Sequence, residues 1–130
     1  MRRAALLAIA VVVLLAAGCG GGGPKTYAPA KTRACLERNG VRTGGKLDFV
    51  ASTSTGGAFV AHLKDNFVTV VFGENEDDAK QIELAYQRFA FENVKKGLPD
   101  VLRRQDNAVM LWHQHPDDAD LATVTGCLKT

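Results

Sequence analysis

Excess charge is the first thing this chain lacks. Lys and Arg number 16 against 14 Asp and Glu, and Arg2 and Arg3 belong to an N-terminal segment with the marks of a removable signal, which leaves 14 of each sign. A neutral domain has no surplus of Lys and Arg to support sequence-independent nucleic-acid binding, and its balance does not suggest a polybasic membrane patch. Signatures of catalysis are also missing. Ser52, Thr53, Ser54 and Thr55 offer hydroxyls without a Gly-x-Ser-x-Gly elbow or an evident base. Gly40–Lys46, "GVRTGGK", spells G-x-x-x-x-G-K, but Leu47 stands where a phosphate loop needs Ser or Thr for magnesium. It also comes after a helix candidate and opens a strand candidate, the reverse of the phosphate-loop order. There is no internal repeat, no heptad run and no sign of a second domain. The reading is therefore of a protein that is not an enzyme and needs no cofactor. A hydrolase whose constellation assembles only in space is kept as an alternative.

What is present begins with Arg2 and Arg3, then an apolar stretch from Ala4 to Ala17 and the small residues Ala16, Ala17 and Gly18 ahead of Cys19. A charged start, an apolar middle and a small-residue cleavage site make up a secretory signal. The stretch falls short of the roughly 20 residues of a membrane-spanning helix. Leu15-Ala16-Ala17-Gly18-Cys19 resembles the lipobox of bacterial lipoproteins. In that family lipid is attached to the cysteine sulfur and the chain is cut just before it. The match departs at Ala16, where the family commonly has Leu; Leu15 lies one step further out. The resemblance covers only the first 20 or so residues. It implies a domain held at the cell membrane by lipid on Cys19 and facing outside the cytoplasm. On this reading residues 1–18 are signal peptide, 19–30 are lipidated cysteine and flexible linker, and 31–130 form one extracytoplasmic domain. Gly20–Gly23 supply the flexibility, while Pro24 and Pro29 stiffen the rest of the linker.

Taking residues 1–18 from a chain of 130 leaves 112, enough for one small domain with a core of moderate size. Such a domain gains from a crosslink. Cys35 and Cys127 are the two cysteines left, and outside the cytoplasm an even pair reads as a disulfide. No nearby His marks either as a catalytic thiolate.

The pattern along the domain predicts an α+β fold in the order α-β-β-β-α-β-α, with an antiparallel or mixed sheet and helices on one face. Thr32–Asn39 is a short helix stopped by Gly40. Leu47, Phe49 and Ala51 alternate as a strand. "FVAHLKDNFVTVVF" reads as a hairpin turning at Asp65-Asn66, both residues that tolerate positive φ. That turn pairs Leu63 with Val68, Ala61 with Val70 and Phe59 with Phe72 on the core face. The opposite face, with Val60, Phe67 and Val71, is apolar enough to pack on a helix or meet a partner. A helix then runs to about Lys96, with Ile82, Ala85, Tyr86 and Phe89 as its stripe and Gly97 as its stop. On it Glu83 and Glu92 read as solvated, Glu92 within reach of Lys96. "PDVLRR" adds at most a short turn. Ala108–His113 is a strand, core at Met110, Leu111 and Trp112, and Pro116–Leu128 is the last helix.

The best local candidate for chemistry is "WHQHPDD", Trp112–Asp118. His113 and His115 share a strand face beside Asp117 and Asp118, a donor set suited to zinc or copper, with His62 as a third ligand if its sheet face reaches them. The same residues also spell a helix start at Pro116 with acids behind it. The functional expectation is a noncatalytic domain that binds an unknown protein or small molecule, with a metal-binding lipoprotein using His113 and His115 as the alternative.

Overall fold

The computed structural model describes residues 23–130. The signal segment, Cys19 and the first glycines of the tether lie outside them. In chain order the elements are α1 (Pro29–Arg38), β1 (Arg42–Thr43), α2 (Phe49–Ser52), β2 (Ala58–His62), β3 (Phe67–Phe72), α3 (Glu76–Phe89), α4 (Glu92–Lys95), α5 (Leu98–Val101), β4 (Leu102–Gln105), β5 (Ala108–Trp112) and α6 (Asp118–Gly126). The strands form one antiparallel sheet in the order β1-β2-β3-β5-β4. This is the expected α+β class with a purely antiparallel sheet.

The sheet is covered on both faces, not on one. Phe59, Ala61, Val68, Val70, Phe72, Met110 and Trp112 pack with Leu36 of α1 and Val124 of α6. On the other face Val71 and Val109 pack with Ala79, Ile82 and Tyr86 of α3 and with Val50 and Ala51 of α2. The physical reason lies in β3. From Val68 to Phe72 each residue is buried, so this central strand is apolar toward both layers, as doubly covered strands are. The apolar outer face of the hairpin thus meets helices of its own chain.

Several elements depart from the expected pattern. Leu47–Ala51 is not a strand. Asp48 caps a helix there, its Oδ1 accepting from the Ala51 N–H at 2.8 Å, and the first strand is the two-residue β1. The β2–β3 register is offset by two residues, with Ala61 opposite Val68 and Phe59 opposite Val70. An even shift leaves the face assignments intact. Leu63 leaves the ladder, and its N–H donates to the Asn66 carbonyl at 2.8 Å to close a wider loop. Asp65 and Asn66 do not have positive φ; Asp106 does, at 50°. The tight two-residue turn is Asp106-Asn107, between Gln105 and Ala108, which are paired. The strand β4 before it stands where the sequence suggests at most a short turn.

The long helix ends at Phe89. Ala90 and Phe91 are extended, with ψ of 143° and 150°. Gly97 is not a left-handed stop but precedes α5 in a helical conformation. With α4 only one turn long, Glu92 pairs with Lys95 at 2.7 Å rather than with Lys96, and Glu83 accepts from Arg104 Nε at 2.9 Å. Gly40 does take the left-handed position after α1, at φ 79°, with Val41 N–H donating to the Leu36 carbonyl. In α6 Asp117 is the cap itself, accepting from the Asp120 N–H at 2.7 Å. Packing starts at Tyr27, which is buried, and α1 at Pro29, both inside the segment that reads as linker in the sequence.

Cys35 and Cys127 form a disulfide joining α1 to the end of α6 across 92 residues. Asn39 Nδ2 donates to Cys127 Sγ at 3.2 Å. Both core clusters fall between Tyr27 and Leu128, so residues 23–130 contain the core and the crosslink of the domain.

Candidate functional site

The groove that stands out among the described residues is built where α2 meets the broken end of α3. Asp48 fixes it from both sides. One carboxylate oxygen caps α2; the other accepts from the Tyr86 hydroxyl at 2.8 Å. With the start of α2 fixed in this way, Phe49 projects outward and sets its ring edge-to-face against Phe89, 6.2 Å between centroids. The break after Phe89 then turns Phe91 out on extended backbone. The result is an apolar concentration at the surface: Phe49 is 71% exposed, Phe89 61%, Phe91 80% and Val94 43%. Large apolar side chains scattered singly are ordinary, but a contiguous cluster marks an interaction site. The groove between them encloses about 420 Å³, with Val50, Tyr86, Leu98 and Leu111 beneath.

Its polar groups are few and already engaged. The Tyr86 hydroxyl is held protonated, its pKa pushed far up by burial first and by the hydrogen bond to Asp48 second. With its proton committed to Asp48 and its oxygen buried, Tyr86 is a floor and not an acid-base group. The lining contains no nucleophile beside a base, so the arrangement suits holding an apolar group by contact.

A smaller cleft of about 200 Å³ contains Thr53, Ser54, Thr55 and Asp78. Ser54 donates its hydroxyl proton to the Phe72 carbonyl at 2.7 Å, and the Thr53 hydroxyl lies against the Phe49 and Val50 carbonyls. These hydroxyls serve the backbone.

The three histidines go to three different partners. His62 Nε2 lies 2.7 Å from the Gly44 carbonyl. The His113 ring stacks on Phe67 at 4.4 Å and 17°, and Phe67 also separates it from His62. His115 Nδ1 lies 2.7 Å from Asp100 Oδ1. Asp117 is occupied as the α6 cap. Among the described residues no three His, Cys, Asp or Glu gather as ion ligands would, so the structure does not bring His62, His113 and His115 together. Met110 and Trp112 are core, as expected, whereas Leu111 turns to the groove.

The sequence pattern puts Phe49 in a strand and Phe89 on the buried stripe of a helix, and it does not single out Phe91 or Val94. One signal for Phe91 is there. It lies off the Ile82–Tyr86–Phe89 stripe, so a continuous helix would leave it without a packing partner.

The chain matches no protein-family model, no curated protein and no solved structure.

Proposed function

We propose that this chain is a noncatalytic, lipid-anchored domain outside the cytoplasm that binds an apolar partner or ligand through the Phe49–Phe89–Phe91 groove. The observation that carries the binding half is that cluster of exposed phenylalanines on one open groove. The disulfide supports the compartment, since such bonds persist where the surroundings are oxidising. The lipobox-like run ending at Cys19 supports the anchor, and more than one acyl chain there would hold the protein durably.

Each half has its own test. Expressed as the full chain, the protein is expected to partition into detergent and to carry added lipid mass on Cys19, while Cys19→Ser leaves an unprocessed precursor. A freely soluble mature form would refute the anchor. For the groove, a solvatochromic apolar dye such as Nile red is expected to bind residues 23–130 and to be lost on the exposed double substitution Phe89→Ser/Phe91→Ser. Dye binding that this pair leaves untouched would move the site elsewhere.

A further inference from the structure

The groove needs an occupant, and three features converge on one. The first is shape. Phe49, Phe89 and Phe91 stand out from the surface instead of lining a closed cavity. Small-molecule pockets bury most of their ligand, and nothing on the outer side of Phe91 would cover one. Protruding aromatic rings suit a soft apolar medium into which they can sink.

The second is charge. The balance of the chain as a whole is even, but it is not even here. From Tyr86 to Gly97 the segment carries Arg88, Lys95 and Lys96 against the single acid Glu92. Arg88 and Lys96 are exposed, and Lys95 and Glu92 engage one another at 2.7 Å. Apolar rings rimmed by cations are the pattern of side chains that enter an anionic interface.

The third is reach. Tyr27, the first buried residue, is pinned at the β4–β5 turn by Asn107 and Asp106. The groove lies toward the other end of the same hairpin, at Leu111. Those four residues of strand measure roughly 13 Å. The eight peptide steps from Cys19 to Tyr27 reach at most about 28 Å. A chain anchored at Cys19 is therefore long enough to let the groove touch the surface that holds the anchor, at the high effective concentration a short tether gives.

We infer that the Phe49–Phe89–Phe91 face lies on an anionic lipid bilayer, its rings entering the acyl boundary and Arg88, Lys95 and Lys96 facing the headgroups. This rests on the groove being the binding surface and on the anchor at Cys19, and the experiment separates it from both.

Residues 23–130, which carry no lipid, are sedimented with vesicles of equal phosphatidylglycerol and phosphatidylcholine, and with phosphatidylcholine alone. Binding to the anionic vesicles is expected. Phe89→Ser/Phe91→Ser should lower the partition coefficient roughly a hundredfold, about tenfold for each ring that no longer leaves water. Lys95→Glu/Lys96→Glu should weaken binding to the anionic vesicles at least tenfold, each lost cation counting roughly fivefold, and leave phosphatidylcholine unchanged. None of the four side chains belongs to the core, so both variants should keep the parent Tm. No binding to either vesicle at millimolar lipid would overturn the inference, as would binding that the phenylalanine pair leaves unchanged. Self-association abolished by that pair would assign the face to a second copy of the chain. A Tm raised by oleate without vesicle binding would assign it to a single acyl chain. Either result overturns the bilayer. Detergent partition of the full chain judges the anchor independently, and dye binding judges the groove.

Discussion

Asn107 and Tyr27 hold each other through both sides of one residue's backbone. The Tyr27 N–H donates to Asn107 Oδ1 at 2.6 Å, and Asn107 Nδ2 donates to the Tyr27 carbonyl at 3.1 Å and to the Gly73 carbonyl at 2.9 Å. Asn107 is almost wholly buried. One side chain thus fastens the N-terminal segment, the exit of β3 and the tight turn before β5. Asn107→Ala strands three buried backbone groups and is expected to cost about 2–4 kcal/mol. Urea unfolding checks this. Asn107→Asp keeps the acceptor and loses both donors, so it should be nearly as damaging.

The crosslink carries the second prediction. In the loop-entropy account, closing a ring across 92 residues stabilises by up to roughly 4.5 kcal/mol. Cys35→Ser and Cys127→Ser should each lower stability, and the double variant should lose little more than either alone. Nonreducing peptide mapping should recover the two cysteines in one linked pair.

Asn66 and Asp65 should behave very differently although they are neighbours in one loop. Asn66 is buried; its Oδ1 accepts from the N–H groups of Phe67 and Gln114, and its Nδ2 donates to the Gln114 carbonyl at 3.0 Å. Asn66→Ala is expected to cost about 2 kcal/mol. Asp65→Ala, at an exposed side chain, should stay within about 0.5 kcal/mol of the parent. Equal effects would mean that the loop is not tied to the chain after β5.

Alkaline pH should weaken the fold through its tyrosines. Burial and Asp48 hold the Tyr86 proton well above the usual tyrosine range, and burial raises Tyr27 as well. The unfolded chain releases these protons near pH 10 while the folded chain keeps them. Stability should therefore be flat below about pH 10 and fall as pH climbs above it, for Tyr86 at roughly 1.4 kcal/mol per pH unit. Tyr86→Phe should make the decline shallower. A decline unchanged by that substitution would show that Tyr86 ionises freely.

The histidine alternative has a direct check. His113→Ala should leave the fold in place, because its ring lies stacked on Phe67 at the surface. Elemental analysis of protein purified without chelator should find no stoichiometric zinc or copper. Tight zinc binding lost with either His113→Ala or His115→Ala would revive the metal reading.

The sequence is most legible where the chemistry is local. Gly40 ends α1 because no side chain strains its φ, and the Cys35–Cys127 pair comes from an even count of two. The hairpin faces survive a misplaced turn because an even shift of register preserves parity. Two Asp-Asn pairs compete for a two-residue turn, Asp65-Asn66 and Asp106-Asn107. Local propensity cannot rank them; the choice is made by the buried partners waiting for Asn107. Phe49 illustrates the other failure. Its alternation with Leu47 and Ala51 is a good strand pattern, but Asp48 is a better cap, and its second oxygen is claimed by Tyr86, which is 38 residues away. The groove is hidden for the same reason: it exists only because α3 breaks at Ala90 without a glycine or proline to announce it.

The clasp at the two ends of the domain has a mechanical meaning. The Ala28 N–H donates to the Lys129 carbonyl at 2.6 Å, and the Lys129 N–H donates to the Thr32 hydroxyl. Just inside this clasp, the bond between Cys35 and Cys127 encircles every strand of the sheet. A force pulling the two termini apart would peel off the short segments beyond the cysteines and then load a covalent bond directly. The sheet would sit on the slack side of that load path, bearing no tension while the bond holds. Reduction would hand the whole force to the strand ladder at once.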